Sequence, residues 1–159
     1  MPPVLDKAKR RNVGRIDHII LLYRTRESQE QARQSFSELL GVDDWDEIGE
    51  ASEGLYIFIS WRSGIELVCP TRPVGTFERH LAAHGEGFYC LVFGVANLAQ
   101  AIANVERLKG RAPRALGDPP PKVLERFCVA REAVVGEVAG LRLMLGEFVA
   151  KPGQLEADE

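Results

Sequence analysis

"GEGFYCLVFGVANLAQAIANVERLKG", residues 85–110, decides how this chain is read, because the same order of signals occurs once before it. Within it "GFYCLVFGV" alternates as a strand, and Leu98, Ile102, Val105 and Leu108 then fall on one helical stripe. Asn97 is placed to cap that helix, Gln100 holds the capping-box position, and Gly110 closes it. Earlier, "IDHIILLY" (16–23) reads as a strand with Ile16, His18, Ile20 and Leu22 on one face. The following "TRESQEQARQSFSELLG" (25–41) places Ala32, Phe36, Leu39 and Leu40 at helical spacing; Thr25 or Ser28 can cap it, and Gly41 can end it.

Each strand–helix pair leads into further strands. In the first half these are "GLYIFISW" (54–61) and "GIELVCP" (64–70), a hairpin turning at "RSG". In the second half they are "RFCVARE" (126–132) and "GLRLMLGEF" (140–148), the last ending near Phe148. The proline-rich "RAPRALGDPPPKV" (111–123) reads as a loop, and "GTFERHLAAHG" (75–85) as a short connecting helix started by Thr76 and stopped by Gly85.

Superposing the first strands of the halves sets His18 on Cys90, an offset of 72 residues. Superposing the last strands sets Glu66 on Met144, an offset of 78, so the second copy has the longer loop. Such a repeat predicts two like modules about a pseudo-twofold, with His18, Glu66, Cys90 and Met144 on the inner faces of the sheets. The expected fold is α+β: two βαβββ modules, 15–70 and 86–148, forming a curled mixed sheet around a shared cavity. The connecting helix spans 75–85, the loop 111–122 lies over one cavity mouth, and a basic arm (1–14) and a tail (149–159) flank the domain as flexible segments. Sheet edges left by half-barrel modules predict a homodimer.

Composition narrows the classes. Of 159 residues, 45% are hydrophobic and 27% charged, which suits one globular domain rather than a disordered chain. A net charge of −3 gives no cationic face for nucleic acid or anionic lipid, and the one basic cluster, "KAKRRNVGR" (7–15), reads as a solvated arm. Three cysteines without paired metal spacing suit a reducing compartment, no apolar run reaches membrane length, and no signal-peptide core follows the basic start. The expected location is cytoplasmic and the expected partner a small molecule.

The motifs "IDHI", "GIELVCP" and "HGEGFYCLVFGVANLAQAIA" together resemble the vicinal-oxygen-chelate superfamily over residues 15–148. This group includes glyoxalase I, the bleomycin- and fosfomycin-resistance proteins and the extradiol dioxygenases. The nearest branch is that of methylmalonyl-CoA epimerase. The resemblance implies four inward metal ligands. His18 matches the first and Glu66 the second; Cys90 stands where a histidine belongs, Tyr89 where a histidine often precedes it, and Met144 where the last glutamate belongs. Hard divalent ions favour oxygen and imidazole over thioether sulfur, so this site is degenerate as a metal chelate. The cofactor stays unspecified; of the divalent metals, zinc suits His18, Glu66 and a Cys90 thiolate best.

With Met144 in place of a carboxylate, two-base epimerisation lacks its second base. The expected function is a glyoxalase-like isomerase, epimerase or lyase acting on a carbonyl or acyl-thioester substrate. Glu66 would be its base and His18 the partner, or both persist as scaffold. Arg142, two residues before Met144, would stabilise an anionic substrate or lie at the sheet rim, and Cys90, Met144 and Tyr89 would line the ligand site. Cys90 reads as a nucleophile or as an inert buried thiol, and Tyr56, Phe58 and Trp61 as pocket walls or core. His80 and His84, four apart, could share a metal but read as solvated. The alternative function is a metal-free binding protein that sequesters small molecules, like the bleomycin-resistance branch; ring-cleaving dioxygenase chemistry is disfavoured by Cys90.

Overall fold

The computed structural model describes residues 14–49, 54–73 and 75–153, so the basic arm up to residue 13 and the tail beyond 153 lie outside the described residues. Two compact units divide the chain, and the boundary does not fall at the connecting helix. Of the described residues one unit holds His18–Cys90 and the other holds 14–17 and 91–153, so the division passes through two strands.

In the unit His18–Cys90 the elements are β1 (Arg15–Leu22), α1 (Arg26–Leu40), β2 (Trp45–Ile48), β3 (Leu55–Ser60), β4 (Ile65–Pro70), α2 (Gly75–His84) and the start of β5 (Gly87–Gly94). The strand order is β2-β3-β4-β1-β5; β1 pairs with β4 in parallel, and β2–β3 and β3–β4 are antiparallel. Thr25, in extended conformation, begins α1 through a reciprocal capping box with Ser28, and Gly41 ends it at φ 68°. Register then fixes which side chains share a face. Phe58 lies opposite Leu67, and both join Leu21, Val42 and Ile65 in a core packed against Ala32 and Phe36 of α1. Ile59 lies opposite Glu66, and Ile20 pairs with Glu66 from the other side. Strand alternation therefore puts His18, Ile20, Ile59, Glu66 and Val68 on the face away from α1.

The helical stripe read from the sequence is only half right. Leu39 is 81% exposed and Leu40 67% exposed. The last turn of α1 runs past the packed face; Gly41 then reverses the chain and delivers Val42 into the core instead. The acidic stretch after α1 also forms an edge strand, β2.

The other unit contains the remainder of β5, α3 (Leu98–Lys109), β6 (Arg114–Ala115), α4 (Pro121–Arg126), β7 (Phe127–Val138) and β8 (Leu141–Ala150). Its strand order is β5-β8-β7-β6, and Val92 of β5 pairs in parallel with Met144 of β8. Ile20–Glu66 and Val92–Met144 are related by the same offsets of 72 and 78 found in the sequence, so the duplication is written in the register. Asn97 caps α3 by accepting from the Gln100 amide, and Leu98, Ala133, Val135 and Leu145 form the core beneath it.

Three expectations change here. The stretch 111–123 is not all loop: it contains β6 and opens α4, because Pro121 sits at the first helical position, where its fixed φ and missing N–H are tolerated. Leu108 of the α3 stripe is exposed, lying in the overhanging last turn between Arg107 and Lys109. β8 also continues through Ala150, two residues into the expected tail. Among the described residues no helix is long and apolar enough to cross a membrane.

Candidate functional site

β1 and β4 lie side by side in parallel, and that pairing builds the site. Ile20 stands opposite Glu66, so His18, two residues earlier, projects on the same face as the carboxylate. His18 Nε2 lies 3.1 Å from Glu66 Oε2, with the imidazole 3% and the carboxylate side chain 15% exposed. The two meet at ion-pair distance without the alignment of a directed hydrogen bond. Ile20, Ile59 and Val68 on that face are buried and apolar. With little water to screen them, the charges of such a pair act on each other and on a bound substrate more strongly than at the surface.

Cys90, fully buried, occupies β5, the strand beside β1. Tyr89 does not accompany it. Alternation turns Tyr89 to the other side of β5, where its ring packs edge-on against Phe77 (5.1 Å) and His80 (4.9 Å) of α2. Tyr56 and Phe58 likewise belong to the α1 side rather than to the His18–Glu66 face. Their partners Cys69 and Leu67 alternate with Glu66, and the Arg26 guanidinium stacks on both rings at 4.5 and 4.4 Å. Trp61 donates its indole N–H to Asp46 at 3.0 Å. Met144 and Arg142 belong to the other unit. Met144 is buried between Val92 and Val134, while Arg142 is half-buried opposite Glu137 near the β7–β8 turn.

Gln29 escaped the sequence reading. It is fully buried in α1, and its amide nitrogen donates at 2.8 Å to the carbonyls of Tyr56 and Leu67, while its oxygen accepts from Arg26. This amide pins the helix to the backbone next to Glu66. Its signal was present: Gln29 is three residues before Ala32 and seven before Phe36, a polar residue on an apolar stripe. Glu147, also buried, accepts from the first amide of α3 (Leu98, 2.9 Å) and from Arg131 (2.8 Å), seating that helix on its sheet.

A divalent metal implied by the resemblance does not fit this donor set. Among the described residues no group of three or more His, Cys, Asp or Glu side chains is gathered to hold one, so the zinc arrangement of His18, Glu66 and Cys90 is not formed. Nor is Cys90 presented as a nucleophile. Of the three thiols only Cys128 is exposed, and burial pushes the Cys69 thiol above its ordinary range. Alkylation of the native protein at neutral pH should therefore modify Cys128 first, with Cys69 and Cys90 reacting only on unfolding. Peptide mass mapping checks this, and early labelling of Cys90 would overturn it.

Comparison with known proteins bears on the fold. A variant of the Streptomyces coelicolor methylmalonyl-CoA epimerase in complex with 2-nitronate-propionyl-CoA matches 89% of this chain and 100% of its own, with TM-score 0.62 and 22% identity. The chain has the methylmalonyl-CoA epimerase fold. The Mycobacterium tuberculosis methylmalonyl-CoA epimerase matches 89% of this chain and 91% of its own (TM-score 0.59, 17% identity). A hypothetical protein from Bacillus halodurans matches 84% and 94% (TM-score 0.58, 16% identity). These epimerases belong to the vicinal-oxygen-chelate superfamily, whose glyoxalase-like α+β fold is the one the sequence resemblance implied. No family model and no curated protein matches the sequence.

Proposed function

We propose that this epimerase-fold protein is a proton-transfer enzyme acting α to the carbonyl of an acyl thioester, with Glu66 as its base. One observation carries the reading: a largely buried carboxylate held 3.1 Å from a buried imidazole on an otherwise apolar sheet face. Glu66 takes the α-proton; the electron pair left behind spreads onto the thioester oxygen as an enolate. The proton then returns to the same carbon or to a neighbouring one. His18 orients the carboxylate and, when protonated, offsets its charge. The substrate class is supported by solved structures of the same fold, one of which is a methylmalonyl-CoA epimerase in complex with methylmalonyl-CoA.

Met144 cannot accept or release a proton, so the position that the resemblance gives to a second carboxylate is chemically silent. A single base works on one face of its substrate. The reaction we propose is therefore proton exchange and relocation, an isomerase reaction, rather than inversion between two bases. The test is solvent-deuterium incorporation at the α-carbon of short acyl-CoA thioesters, read by mass spectrometry. Label entering with native protein supports the proposal. Tight binding of these thioesters without label overturns it in favour of a binding protein.

The proposal includes a homodimer. Among the described residues β2 and β6 end their strand orders, leaving edges that a second copy would cover. Sedimentation should give twice the 17.6 kDa chain mass, and a monomer at micromolar concentration would exclude the dimer.

A further inference from the structure

Resting on the proton transfer proposed for Glu66, the choice of acyl group follows from the sheet face that carries this residue. Pairing register reads that face across four strands. Ile20 and Ile59 flank Glu66 directly, one from each neighbouring strand, and Ile57 lies opposite Val68 one step further along. On β2, Ile48 pairs with Ile57 and Asp46 with Ile59, so both belong to the same face. Ile20, Ile48, Ile59 and Val68 are buried, whereas Ile57 is half-buried and Glu66 keeps 15% of its side chain exposed.

The charge on this face is unbalanced toward negative. Among the described residues of β1–β4, its strand positions hold two carboxylates, Glu66 and Asp46, and no lysine or arginine. Its one imidazole, His18, is already taken up by Glu66 at 3.1 Å. Asp46 accepts from the Trp61 indole at 3.0 Å, a neutral donor that leaves its charge in place. Arginines of the same unit are engaged elsewhere: Arg26 stacks on Tyr56 and Phe58 on the α1 side, and Arg62, just after β3, pairs with Asp43.

A base must reach the α-hydrogen itself, so any other substituent on the α-carbon is carried onto the surface around Glu66. A carboxylate there would meet like charges in a setting that screens them poorly, with no cationic side chain set against it on these strands. A hydrocarbon branch would meet isoleucine and shed its water in doing so. We propose that the Glu66 site selects acyl thioesters whose α-substituents are hydrocarbon rather than carboxylate, with Ile59 and Ile57 contacting the branch. Ile59, directly opposite Glu66, meets its inner part; the half-buried Ile57 takes its outer end.

Two probes test this: 2-methylbutanoyl-CoA, whose α-carbon bears methyl and ethyl, and methylmalonyl-CoA, which bears methyl and carboxylate. Calorimetry on the whole protein reads their dissociation constants, and mass spectrometry reads deuterium entering each α-carbon from solvent. We expect 2-methylbutanoyl-CoA to bind at least about 10²-fold more tightly. Ile57→Lys places a cation on the face at a half-buried position and should narrow that ratio at least about tenfold, with thermal melting to show that the variant is folded. Equal affinities in the native protein, tighter binding of methylmalonyl-CoA, or binding of neither thioester overturns the proposal whatever the variant does. An unchanged ratio in folded Ile57→Lys overturns it too, since charge on this face would then not be what discriminates. Deuterium keeps this selectivity apart from the reaction. The expected affinity ratio without label in either thioester upholds the selectivity and sinks the proton transfer; label with equal affinities does the reverse.

Discussion

Glu66→Gln is expected to slow α-proton exchange by about 10²–10⁴-fold, while thioester affinity stays within a few fold of native. Glutamine keeps the shape and length of the side chain but has no lone pair basic enough to take a proton from carbon. The loss corresponds to roughly 3–5 kcal/mol of transition-state stabilisation, and it should fall on kcat and on kcat/KM together, because the interaction removed is made while the proton moves. Steady-state exchange kinetics over a range of thioester concentrations reads both quantities. A Glu66→Gln protein that exchanges at the native rate would remove Glu66 from the chemistry. A raised KM with native kcat would make it a binding residue only.

Leu67→Ala should destabilise the protein by about 2–5 kcal/mol, and Leu39→Ala by no more than about 0.5 kcal/mol. Both are leucines on segments of clear periodicity, and their sequence signals are comparable. Leu67 is fully buried between Leu21, Phe58 and Ile65, so truncation leaves a hole that neighbours on two strands and a helix cannot fill. Leu39 is 81% exposed, and alanine there loses no packing. At roughly 2–4 °C per kcal/mol for a chain of this length, thermal melting separates the two outcomes well outside error. Equal effects would mean that the last turn of α1 is covered in solution.

The local grammar of the chain was legible in its residues. The Thr25 and Asn97 caps, the Gly41 and Gly110 stops and the alternation around His18 and Glu66 all act within one element, through hydrogen bonds and dihedral preferences between near neighbours. The repeat was legible too, since offsets of 72 and 78 reappear as the pairs Ile20–Glu66 and Val92–Met144. The candidate pair was found for the same reason: both of its members sit on strands whose period is two. Other parts were not legible. Tyr89 lies one residue from Cys90, and only the position of α2 shows which side of β5 is filled by aromatic packing. His80 had no local mark of burial; its surroundings come from Phe88 and Tyr89, on the following strand.

The sequence by itself determined most of the elements, their tandem order and the shared inner face of His18 and Glu66, because periodicity is a property of neighbouring residues; the β1–β4 pairing that brings the two together is tertiary. Only the tertiary structure decided which apolar side chains are buried and which polar ones are held. Gln29 binds the carbonyls of Tyr56 and Leu67, 27 and 38 positions away, whereas Leu39 and Leu40 meet solvent. Burial depends on the surface that arrives opposite a residue, and that surface is supplied by distant parts of the chain.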